Sequence, residues 1–163
     1  MNKLRRKWSF KINGKTQVLV KQKFERTEHV AMKAFLAKLY SRFYSDILIE
    51  MRYEFENRYK PDLLVQDPWK PQPVFWGECG KVSPDKLQHL IERYPQTHLA
   101  LAKWNSIHHE FRDQVADFFL KNQRKAPVDL LLFTDEHHAH FIEKEEVDVH
   151  WHQVQCESWT GEG

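Results

Sequence analysis

Apolar and polar positions alternate at the start of the chain. Trp8, Phe10 and Ile12 are interleaved with polar residues, and Thr16-Gln17-Val18-Leu19-Val20 forms a second run. Between the runs stands Asn13-Gly14, a pair that tolerates the positive φ of a type I′ turn, so residues 8–24 are predicted to form a β-hairpin. The period then changes. Met32, Phe35, Leu36, Leu39, Tyr40 and Phe43 recur at helical spacing, with Lys33, Lys38 and Arg42 on the other side, Thr27 as N-cap and Glu28 in the first turn. Three short strands are expected next, at Ile47–Glu54, Leu63–Gln66 and Val74–Glu78, with Asp67-Pro68 and Pro71-Gln72-Pro73 breaking the chain between the last two.

Ser83 and Pro84 announce a second helix with the stripe Leu87, Leu90, Ile91 and Tyr94, stopped by Pro95. His98–Trp104 and Val128–Phe133 are apolar runs of the kind buried on both faces of a sheet. Between them Ile107, Phe111, Val115 and Phe118 mark a third helix. Val147, Val149 and Trp151 alternate with Asp148, His150 and His152, which predicts an edge strand at about 147–155. The order predicts an α/β (α+β) mixed sheet flanked by helices, in one domain spanning 1–163 with its core at about 28–133.

The length of 163 residues allows a core without disulfides. Cys79 and Cys156 suit a reducing compartment. No apolar run approaches the roughly eighteen residues of a spanning helix, and no apolar run follows the basic start as in a signal peptide. A cytoplasmic protein without a membrane partner is the expectation. The net charge of +2 hides a gradient. Residues 1–26 carry nine lysines and arginines against one acid, Glu25. Lys7, Lys11, Lys15, Lys21 and Lys23 are therefore candidates to meet the phosphates of DNA or RNA. The same lysines also suit a solvated hairpin edge.

Two acids stand at the ends of apolar strands: Asp62 in Lys60-Pro61-Asp62-Leu63-Leu64-Val65, and Glu78 in Phe75-Trp76-Gly77-Glu78-Cys79-Gly80-Lys81. On neighbouring strands they would repel unless a hard cation lay between them. Mg²⁺ takes one or two carboxylates plus substrate phosphate in such sites. It polarises the phosphoryl oxygen and activates water, which a lysine can orient.

Pro61-Asp62, sixteen residues before Glu78, within the order helix, three strands, helix, strand, resembles the PD-(D/E)-x-K nuclease superfamily. Within it the chain is most similar to the YaeQ-like branch, through the opening hairpin, Thr27-Glu28, Met32, Leu36-Ala37 and Trp76-Gly77-Glu78-Cys79-Gly80. The resemblance covers roughly residues 8–133. It implies a restriction-endonuclease-like fold and a Mg²⁺- or Mn²⁺-dependent nuclease. Asp62, Glu78 and the Cys79 carbonyl would bind the metal, with Glu28 a weaker addition. The strict pattern has lysine where this chain has Gly80, so Lys86 or Lys81 would serve in its place.

A non-catalytic module of the same fold, binding nucleic acid or a protein, is the alternative reading. A histidine-rich zinc protein is a third, resting on His137, His138, His140, His150 and His152. The strand period already explains His150 and His152 as solvent-side residues.

Overall fold

Asn13 and Gly14 both adopt positive φ, 52° and 82°, as a type I′ turn requires. They join β1 (Lys7–Ile12) to β2 (Lys15–Val20) in a separate two-stranded sheet. The computed structural model describes residues 6–161; Lys3 and Arg5 of the basic segment lie outside them. After α1 (Thr27–Tyr40), a six-stranded sheet follows in the order β3 (Leu48–Ile49), β4 (Leu63–Val65), β5 (Phe75–Cys79), β6 (His98–Trp104), β7 (Val128–Phe133) and β8 (Gln155–Trp159). β5, β6 and β7 are parallel, while β3, β4 and β8 run antiparallel to their neighbours. The connections of the parallel strands are α2 (Pro84–Arg93) and α3 (His109–Lys121). The expected fold class stands.

Strand alternation sorts the core into two layers. Phe75, Cys79, Ala100 and Ala102 face α1 and the hairpin, whereas Trp76, Leu99 and Leu101 face α2 and α3. Ser83 caps α2, its hydroxyl accepting from the Lys86 amide, and Pro84 occupies the first turn. Arg124, 2% exposed, closes the other end of α2 by donating to the Ile91, Tyr94 and Thr97 carbonyls. Among the described residues no helix is long and apolar enough to cross a membrane.

Four expectations are corrected. Thr27 does not cap α1, which begins at Thr27 itself with Arg26 as N-cap and no capping side chain. Lys33 is 3% exposed rather than solvent-facing, because Glu25, Glu50 and Asp62 gather round its ammonium on a helix that is buried nearly all round. The strand expected over Ile47–Glu54 stops at Ile49, since Glu50 turns to φ 61°. The last strand is Gln155–Trp159, not about 147–155. Val147 and Val149 are buried, but the Val147 amide donates to the Lys11 carbonyl of β1 and that of Asp148 to the His140 carbonyl, so the segment does not join the six-stranded sheet. Their alternation reports that burial.

Candidate functional site

β5 and β6 end side by side, and the space beyond the carboxyl ends of parallel strands is where open α/β sheets bind ligands. A cleft of about 1720 Å³ opens there. Its walls come from the segment entering α1, from Asp62, from the Gly80–Val82 turn, and from the stretch between Lys103 and Phe111.

The inner wall is a cluster of ions. Asp62 Oδ2 accepts the Cys79 amide at 2.8 Å and lies 3.5 Å from His29 Nε2, and Asp62 Oδ1 is 4.0 Å from Lys33 Nζ. His29 Nε2 donates to the Cys79 carbonyl at 2.8 Å, and its Nδ1 donates to Glu25. Lys33 also pairs with Glu25 and Glu50. Both ring nitrogens of His29 thus face oxygens that only accept, which requires an imidazolium. Burial opposes that charge, but Asp62 and Glu25 prevail and lift His29 to about 9. Burial likewise works against the Glu25 carboxylate, yet hydrogen bonds from His29 and Lys33 hold it at about 2. Asp62 is lowered in the same way: its burial is outweighed by His29, the Cys79 amide and Lys33.

Glu78 behaves differently. Its side chain shares the α2 face with Trp76, whose indole donates to Oε1 at 2.8 Å, and Lys86 Nζ meets the same oxygen at 2.9 Å. Burial, and then the charge of Asp62, push its carboxyl up to about 7 against the pull of Lys86.

The structure therefore divides the residues expected to act together. Asp62, Cys79, Lys81 and Glu28 line the cleft; Glu78 and Lys86 pair beside it, outside its lining. Lys81 reaches the cleft because Gly80, at φ 84°, turns the chain away from the strand. Of the hairpin lysines only Lys21 lines the cleft, while Lys7, Lys11, Lys15 and Lys23 are exposed elsewhere on the segment. As placed, these residues do not fit a divalent cation. The Asp62 oxygens face His29, Lys33 and an amide, and among the described residues no group of three or more His, Cys, Asp or Glu could hold a metal ion.

The histidine-rich tail follows the same rule. His137 is buried, accepting from the Thr134 amide and donating to the Gln153 carbonyl. His150 and His152 are exposed, with rings stacked 5.7 Å apart.

Sequence reasoning missed His29, Lys33, Glu50 and Lys103. Glu25, His29 and Lys33 recur every four residues; His29 and Lys33 share one side of α1 and Glu25 stands just before it, so the spacing was a usable signal. Lys103 is the only charged residue in the His98–Trp104 run. It donates to the Gly80 carbonyl at 2.6 Å and lies 3.9 Å from the Phe111 ring centre, and burial pulls its ammonium down to about 8.

Among solved structures the chain is similar to the YaeQ protein from Xanthomonas axonopodis pv. citri. The TM-score is 0.61 over 96% of this chain and 98% of that one, at 10% identity. The chain has the YaeQ fold. No protein-family model matches the sequence, and no curated protein matches it. At that identity the YaeQ likeness is one of architecture and carries no activity with it.

Proposed function

We propose that the chain is a nucleic-acid-binding module of PD-(D/E)-x-K descent, which uses the cleft beyond β5 and β6 without metal-dependent hydrolysis. One observation carries this reading: cationic side chains outnumber acidic ones in the lining of the cleft. His29 and Lys33 offset two of the three carboxylates Glu25, Glu50 and Asp62, and Lys21, Arg26, Lys81 and Lys103 outnumber the third together with Glu28 and Asp135 by one. Phe24, 90% exposed, adds a face on which a base can stack. Cations tracking a backbone beside an aromatic platform are the general means of holding single-stranded nucleic acid. Catalysis would require Asp62 and Glu78 to share a cation. Their separate partners, His29 for one and Lys86 for the other, argue against it.

Fluorescence anisotropy with a labelled oligonucleotide in EDTA, followed by incubation with Mn²⁺, tests the reading. Salt-sensitive binding that survives EDTA, with intact oligonucleotide after Mn²⁺, is the expected result. Cleavage abolished by Asp62→Ala and Glu78→Ala would restore the nuclease reading.

A further inference from the structure

We infer that the imidazole of His29 is a fixed substitute for a divalent cation, occupying the position between the Asp62 carboxylate and the Cys79 carbonyl and closing it to metal. An acid and a backbone carbonyl at the ends of adjacent strands are the oxygen donors a hard cation takes, at about 2.0–2.1 Å for Mg²⁺. Here His29 Nε2 stands before both, 2.8 Å from the Cys79 oxygen and 3.5 Å from Asp62 Oδ2. Glu25 holds the ring from behind at Nδ1, so the imidazole is fixed at both nitrogens. The other Asp62 oxygen faces Lys33.

Gly80 flanks this arrangement. A Cβ there would lie 3.5 Å from His29 Cδ2, so a long side chain at position 80 would have to share the space over the ring. The inference concerns metal alone and holds whatever the cleft binds.

Titration of the full chain with Mn²⁺, read by electron paramagnetic resonance, tests it. The wild-type chain is expected to take up no Mn²⁺ at Asp62 up to concentrations on the order of 1 mM, the weak end of divalent-ion sites. His29→Ala frees Asp62, Glu25 and the Cys79 carbonyl and is expected to bind Mn²⁺ roughly tenfold tighter or more, an equilibrium change of at least one decade. His29→Ala with Asp62→Asn should lose that site again. A wild-type site abolished by Asp62→Asn overturns the inference, as does a folded His29→Ala chain that gains none. If His29→Ala does not fold, the wild-type titration against Asp62→Asn still decides.

Discussion

His29 Nε2 donates to the Cys79 carbonyl at 2.8 Å, tying the first turn of α1 to the last residue of β5. Because Glu25 and Asp62 hold the same ring, the charge state of this link governs how the cleft wall responds to pH.

His29 is raised from 6.5 to about 9, so its stabilisation is complete below pH 6.5 and is lost as pH rises through 9. Glu25 is lowered from 4.5 to about 2, so its contribution is present above 4.5 and lost as pH falls through 2. The pair contributes fully between those limits. Thermal melts should therefore fall more steeply from pH 6.5 to 9 for the wild-type chain than for His29→Gln.

Glu78 has the sense of His29 and the reverse of Glu25. Raised from 4.5 to about 7, it favours folding below 4.5 and loses that contribution as pH rises to 7. Lys86→Ala removes its only salt-bridge partner among the described residues. The cost should be roughly 1–3 kcal/mol at pH 8, where the buried carboxylate is charged and short of a partner. Urea denaturation should show a smaller loss at pH 5, where Glu78 carries its proton. Equal losses at both pH values would contradict the pairing.

Gly80→Ala puts a side chain at φ 84°. The strain should cost roughly 1–2 kcal/mol, measured by urea denaturation. The variant should also weaken oligonucleotide binding, since Lys81 and the Gly80–Lys103 hydrogen bond depend on that turn.

Much of this architecture could be read from local chemistry. Asn13-Gly14 marked the hairpin, Ser83-Pro84 marked α2, and the runs at Leu99–Ala102 and Leu130–Leu132 marked strands covered on both faces. The misreadings share a cause in long-range packing. Lys33 has the polarity of a solvent residue, and what buries it is Glu25, Glu50 and Asp62, brought to it from outside α1. Val147 and Val149 alternate as a strand does, yet the edge that Val147 meets belongs to β1. Asp62 and Glu78 were visible as acids at strand ends. Alternation along β5 puts Glu78 on the α2 side with Trp76, and the partners that each acid meets, His29 for Asp62 and Lys86 for Glu78, are not encoded in the spacing between the two acids.

Phe24 tests the stacking half of the proposal. Phe24→Ala should weaken binding of a single-stranded oligonucleotide by roughly 1–3 kcal/mol, the usual worth of one stacked base. At 90% exposure its removal should leave the melting temperature unchanged. Unaltered affinity would remove Phe24 from the interface.

The central claim is that the cleft, rather than the basic hairpin, is the nucleic-acid surface. Anisotropy titrations with one oligonucleotide at several salt concentrations test it most directly, comparing Arg26→Glu/Lys81→Glu with Lys11→Glu/Lys15→Glu. Each phosphate left without its cation should lower the slope of log K against log salt by about 0.7 for a single strand. The cleft variant should show that drop and a weaker Kd, while the hairpin variant matches the wild-type chain. A hairpin variant that loses binding while the cleft variant keeps it would contradict the assignment.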